Sequence, residues 1–144
     1  MQTLQLKLLS PTAKTPARQT AGSAGYDIFA DLAEVTTIAP GETFAVPSGF
    51  SIALEPSFAA FIYARSGLGT RGIIPANCVG VIDSDYRGEI LVNLKNTSEI
   101  PFTINPGDRV AQMVIAKCET PEIIICETLP ETPRGSGGFG STGA

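Results

Sequence analysis

The sequence predicts an all-β domain (a sandwich, jelly roll or small barrel) built from many short strands. Three observations predict it. Apolar residues alternate with polar ones over short stretches. Segments rich in glycine and proline punctuate those stretches at close spacing. No long stretch has helical periodicity.

The elements follow in order. Leu4, Leu6 and Leu8 alternate with polar neighbours and predict the first strand. Thr43 to Val46 and Phe50 to Leu54 are strand candidates separated by the turn PSG at 47–49, and APGE at 39–42 precedes the pair. Phe58 to Ala64 is a continuous apolar strand candidate. SGLGTRG, Ser66 to Gly72, is the best short-helix candidate, although its three glycines weaken it. Ile90, Val92 and Leu94 alternate within EILVNLKN. Phe102 to Ile104 and Val110 to Ala116 flank the turn NPGD at 105–108, and Ile123 to Cys126 is the last strand candidate. Beyond Leu129 the stretch LPETPRGSGGFGSTGA offers no aliphatic residue, so the reading is a β domain over 1–129 and a flexible glycine-rich arm over 130–144. Within that arm Arg134 and Phe139 are the residues that do not suit a mere linker.

Composition narrows the chemistry. A chain of 144 residues with 43% hydrophobic and 17% charged residues suits one folded domain with a real core. Its net charge of −4 argues against general nucleic-acid binding, which needs a basic field. With no histidine, Ser-His-Asp catalysis, Cys-His catalysis and histidine-bound zinc are excluded. Cys78, Cys118 and Cys126 show no CxxC pairing and read as reduced apolar fillers, which fits a reducing compartment. The opening MQTLQLKLLSPTA lacks the basic and apolar regions of a signal peptide, so none is expected. The longest apolar run, seven residues from Phe58, is too short to span a bilayer. The expectation is a cytoplasmic protein without a membrane partner, with a nuclear or organellar form left open.

The charges are unevenly placed. Five of six arginines (Arg65, Arg71, Arg87, Arg109, Arg134) lie in or beside glycine-rich turns, while the four lysines lie in strands or the N-terminal stretch. Asp27, Asp83, Asp85 and Asp108 share those glycine segments, whereas of the nine glutamates only Glu89 does. Turns favour aspartate and glycine for their own reasons. They do not explain the arginines, which are suited to bidentate phosphate capture.

Five segments carry this pattern: AGYDIFA at 24–30, ARSGLGTRG at 64–72, NCVGVIDSDYRGEI at 77–90, GDRVAQM at 107–113 and RGSGGFGSTG at 134–143. In this order and spacing they resemble the five motifs of the trimeric dUTPase family, over nearly the whole chain. The resemblance implies a distorted jelly-roll or β-barrel fold of the dUTPase β-clip type, with at most one short helix and a flexible arm. It implies hydrolysis of dUTP to dUMP and pyrophosphate with Mg²⁺ as cofactor. That reaction keeps uracil out of DNA and supplies dUMP for dTMP synthesis. It also implies a homotrimer with active sites at subunit interfaces.

Residue roles follow from the same resemblance. Asp83 is expected to activate the water that attacks the α-phosphorus, because a carboxylate can accept its proton. Tyr86 is expected to lie against the deoxyribose and leave no room for a 2′-hydroxyl. Asn77 and the backbone of Val81, Ile82 and Asp83 should form the uracil slot, with Leu91 lining it. Cytosine would leave buried groups unpaired there. Arg65, Ser66 and Gly67 should hold the phosphate chain. Asp27 and Gln112 should face Mg²⁺ through water, since this ion keeps several waters, and no direct protein ligand is expected. Asp85, Arg87 and Asp108 should form structural ion pairs. In the arm, Arg134 should contact the terminal phosphate, Phe139 should stack on uracil, and glycines such as Gly140 should wrap the triphosphate with backbone N–H groups.

Two positions depart from the family pattern: Ala64 stands where proline is frequent, and GTRG carries no histidine. Two other readings share the fold. A dCTP deaminase would need an acid/base group at the amino-bearing ring carbon, and a non-catalytic regulatory module would lack the base or the arm. VIDSDYRG and the complete arm favour the hydrolase over both.

Overall fold

The computed structural model describes residues 3–138. Among these the chain forms β1 (Gln5–Leu8), β2 (Tyr26–Phe29), β3 (Thr36–Ile38), β4 (Thr43–Pro47), β5 (Phe50–Ala53), β6 (Phe58–Tyr63), α1 (Ser66–Gly69), β7 (Ile73–Pro75), β8 (Gly80–Ile82), β9 (Leu91–Asn96), β10 (Phe102–Ile104) and β11 (Arg109–Lys117). Every pairing is antiparallel. The largest sheet runs β2-β11-β6-β8, a second runs β4-β9-β7, and β1 pairs with β5 and β3 with β10. No sheet closes into a barrel among the described residues, and the architecture is a distorted jelly roll.

The alternation read from the sequence is the alternation that buries the core. In β9, Val92 and Leu94 point inward while Leu91, Asn93 and Lys95 point out. Ile28, Val46, Phe50, Ile62, Leu94 and Met113, from six different strands, meet in one continuous apolar cluster. Burying each such side chain contributes about 1.5–3 kcal/mol. Asn96 is fully buried although polar. Its amide donates to the carbonyls of Ile38 and Ile100 at 2.9 and 2.8 Å, and its Oδ1 accepts from the Ser98 backbone N–H and hydroxyl. All its hydrogen-bonding capacity is thus used, one bond tying the end of β9 to β3 and three bracing the turn that follows it.

One expected strand is absent. Ile123 to Cys126 pairs with nothing in the described chain, and Ile123 and Ile125 are 90% and 96% exposed. A strand needs an edge to receive its N–H and C=O groups, and no other described part of the chain pairs with it. Regular structure ends with β11 at Lys117. None of the described helices is long and apolar enough to cross a membrane.

Candidate active site

The expected site residues are organised around β6, which pairs with β11 on one side and β8 on the other. Two groups form, one at each end of this strand.

The first group sits where β6 runs into α1. Three strands lie in register here, with Asp27 of β2 opposite Gln112 of β11 and Gln112 opposite Tyr63 of β6. The Gln112 amide donates to the Ala64 carbonyl at 2.9 Å, which fixes the chain as it leaves the strand. Arg65 then turns back and donates from Nε to Asp27 Oδ1 at 2.9 Å. Arg109 donates from Nη1 to Asp27 Oδ2 at 3.1 Å. The β2–β11 register shifts between Arg109 and Ala111, a bulge that re-aims Arg109. Arg65 Nη1 also donates to the Arg109 carbonyl at 3.3 Å. One buried aspartate therefore holds two guanidinium groups side by side, each with donors to spare.

Ser66 and Gly67 open α1. Arg65 precedes it in extended conformation without a side-chain cap, so the first N–H groups of the turn have no partner within it. Beside this turn lies a polar cleft of about 350 Å³ lined by Arg65, Arg71, Asn105, Asp108 and Arg109, with Arg71 stacked 5.0 Å from the centre of the Phe102 ring. A cleft with three arginines suits a polyanion.

The second group lies beyond the other end of β6. The segment after β8 turns back through Asp83 to Glu89 before entering β9. Val81, Ile82, Asp83, Tyr86, Glu89 and Leu91 line one cleft of about 190 Å³. Val81 and Leu91 are more than half exposed although apolar, because they face this cleft and not the core. Asn77 does not line it; its amide lies beside Gly80 at the start of β8. A further hollow of about 430 Å³ on another side of Asp83 includes Ser57, Ser84, Asp85 and Cys118.

The β6–β8 register separates the two groups. Ile82 lies opposite Ala60, so Asp83 emerges beside Ala59, whereas Ser66 lies beyond Tyr63. The seven residue steps from Ala59 to Ser66 amount to roughly 20 Å of extended chain. The cleft lined by Arg65 does not include Asp83, and the two hollows lined by Asp83 do not include Arg65.

The structure corrects the expected ion pairs. Arg87 donates from Nη1 to the carbonyls of Ser84 and Tyr86 at 2.7 and 2.9 Å, and so braces its own turn. Asp108 accepts from the Asn105 backbone N–H and side-chain amide at 2.8 and 3.1 Å. Asp85 takes part in no ion pair among the described residues, where the pairs are Arg65–Asp27, Arg109–Asp27 and Lys117–Glu119. The physical reason is proximity. Within a tight turn the nearest partners of a short acid or a forked base are the turn's own backbone groups. Asp27, read as a residue facing a metal, is the centre of the ion-pair network.

Arg134 is exposed, and its carbonyl accepts a hydrogen bond from the Gly137 N–H at 3.1 Å. It lines neither of the two clefts described above. Phe139 and Gly140 lie outside the described residues. Among the described residues no cluster of three or more histidine, cysteine, aspartate or glutamate side chains has metal-binding geometry. Arg71, Arg109 and Glu89 line these clefts although no site role is expected of them from the sequence. Arg109 was legible only as one of the arginines beside a glycine turn, and Glu89 as the one glutamate in such a segment.

The chain is similar to known proteins over nearly its whole length. The family model dUTPase matches residues 12–143. Deoxyuridine 5′-triphosphate nucleotidohydrolase of Polynucleobacter asymbioticus is 45% identical, covering 99% of each chain. The protein of the same name from Pseudomonas paraeruginosa is 44% identical, covering 100% of this chain and 99% of its own. Among solved structures, the Staphylococcus bacteriophage 80alpha dUTPase with dUpNHpp superposes with a TM-score of 0.92 at 29% identity, covering 100% of both chains. A mutant dUTPase from phage phi11 of S. aureus, described for its coordination of a structural Mg(II) ion, has a TM-score of 0.82 at 27% identity and covers 90% of this chain and 99% of its own.

Proposed function

The chain belongs to the dUTPase family, and from that premise we propose that it hydrolyses dUTP to dUMP and pyrophosphate. The observation that carries the proposal is the cleft that unites Val81, Ile82, Asp83, Tyr86 and Leu91. It offers a carboxylate, an aromatic wall and strand backbone within one nucleoside-sized hollow.

The proposed mechanism assigns each residue a task. The Asp83 carboxylate orients a water molecule and takes its proton as the oxygen attacks the α-phosphorus. The bond from that phosphorus to the bridging oxygen breaks, and pyrophosphate leaves with the bridging oxygen. The Tyr86 ring stands against the sugar where a 2′-hydroxyl would project. The backbone of Val81 to Asp83 reads uracil, with Asn77 supporting that strand from beside Gly80. Arg65, Ser66 and Gly67 hold the phosphate chain. Arg109 joins them in this reading, because Asp27 fixes its guanidinium beside that of Arg65. Arg134, Phe139 and Gly140 belong to an arm that closes over the nucleotide.

The donor set fits Mg²⁺ carried by the triphosphate. Both Asp27 oxygens already accept from guanidinium groups, so Asp27 and Gln112 would face the ion through its waters. When bound, the ion would neutralise charge on the phosphates.

The assembly proposed is a homotrimer with shared sites. The separation of Asp83 from Ser66 along β6 supports it, since one chain alone holds its base roughly 20 Å from its phosphate-binding turn. A neighbouring subunit would supply the missing half. The exposed Ile123, Ile124 and Ile125 also suit burial against a second chain.

One assay tests the function: pyrophosphate release from dUTP, dCTP, dTTP and UTP, with and without Mg²⁺. The expected result is release from dUTP alone, strongly aided by Mg²⁺. Ammonia from dCTP in place of pyrophosphate from dUTP would replace this reading with a deaminase.

A further inference from the structure

The ring of Tyr86 is held in place from two sides. Its hydroxyl donates to the Glu89 carbonyl at 3.0 Å. That carbonyl is itself anchored, because Glu89 Oε1 accepts from the Gly49 N–H at 2.8 Å and the next residue, the buried Ile90, donates its N–H to the Phe50 carbonyl at 3.0 Å. Gly49 has φ of +69°, and a Cβ there would fall 2.3 Å from Asp31 Oδ2, so this turn accepts glycine alone. The support beneath Glu89 therefore has one shape.

On its other side the ring meets Gly88. A Cβ at residue 88 would stand 2.3 Å from Tyr86 Oη, 2.5 Å from Cζ and 3.0 Å from Cε2. Gly88 is not among the residues with positive φ, so its backbone would suit any amino acid. Space alone requires glycine here, and the atoms that require it are those of Tyr86.

We propose that Gly88 is a specificity-determining residue that acts by positioning Tyr86: its missing side chain lets the ring lie across residue 88 with its hydroxyl on Glu89, and so sets where the wall against a 2′-hydroxyl stands. The inference rests on the reading of Tyr86 as that wall. An added methyl group must displace something, and the part that yields is the ring, since Tyr86 is 44% exposed and its side chain turns on two torsions. Glu89 and its anchors stay. The ring swings outward, its hydrogen bond to Glu89 breaks, and a ribose gains the space a deoxyribose leaves empty. Contacts to the base and phosphates come from other residues, so UTP exclusion suffers more than dUTP turnover.

The test measures kcat/KM for dUTP and UTP in the unaltered protein, Gly88→Ala, Tyr86→Ala and the double variant, with thermal melts of each. Gly88→Ala should lower the dUTP-to-UTP preference at least ~10-fold, chiefly through faster UTP turnover, and should add nothing in the Tyr86→Ala background. If Gly88→Ala keeps the preference while Tyr86→Ala loses it, the role of Gly88 is overturned and that of Tyr86 stands. If Tyr86→Ala keeps the preference as well, the sugar-wall reading itself fails. Should Gly88→Ala not fold, the double variant decides: folding restored by removal of the ring supports the coupling, and failure of both overturns it.

Discussion

Arg65 and Asp27 form the closest ion pair of the candidate site, with Arg65 Nε donating to Asp27 Oδ1 across 2.9 Å. Asp27 is 8% exposed and faces a second guanidinium, that of Arg109, through its other oxygen. An acid this enclosed, with both oxygens taken, positions its partners. Asp27→Asn should therefore release two arginines at once. We expect a loss of about 1–3 kcal/mol in urea unfolding, discounted from a fully buried pair because Arg65 and Arg109 are partly solvated. We also expect a drop in kcat/KM of roughly 100-fold. If the residue served mainly through the metal, excess Mg²⁺ would restore the rate, and the clamp reading would fall.

Asp83 is exposed and makes no ion pair among the described residues, so its replacement should leave the fold untouched. Asp83→Asn should bind a non-hydrolysable dUTP analogue normally, melt at the same temperature and lose about 10²–10⁴-fold in kcat. Near-normal turnover would remove Asp83 as the base.

Ending the chain before Arg134 removes nothing from the apolar core, whose members all precede residue 116. The truncated protein should keep its circular dichroism spectrum and melting temperature while kcat/KM for dUTP falls by at least ~100-fold. Full activity in the truncated chain would reduce the arm to a tail.

Ile125 is 96% exposed in the single chain and should be buried in the assembly. Ile125→Asp should convert a trimer into smaller species by light scattering, with activity lost in parallel. A trimer that tolerates the charge would show that this segment lies outside the interface.

Much of this molecule is legible in the sequence because alternation is a local signal. The polar–apolar rhythm of EILVNLKN marks β9 residue by residue, and the boundaries of β10 follow from the turns around it. β2, β3, β7 and β8 escape notice because three or four residues are too few to show a rhythm where no clear pair of turns frames them, as it does β10. Pro75 at the end of β7 further masks that strand. Ile123 to Cys126 misleads for the opposite reason, since it has strand-forming residues but joins no edge among the described residues. The glycine-flanked arginines and aspartates mark the right segments, yet pairing among them is not local. Arg109 finds Asp27 across 82 residues, whereas Arg87, with Asp85 two positions away, bonds to its own backbone.

The two groups of site residues at opposite ends of β6 have a genetic meaning under the trimeric reading. A chain damaged at Asp83 still carries a sound phosphate-binding turn, and a chain damaged at Arg65 still carries a sound base. Each is inactive among copies of itself. Refolded together they would form some sites from one chain's intact half and the other's, so two null alleles would complement in a single cell. The same sharing lets one defective allele disable sites on healthy neighbours, and inheritance of such a defect would be partly dominant.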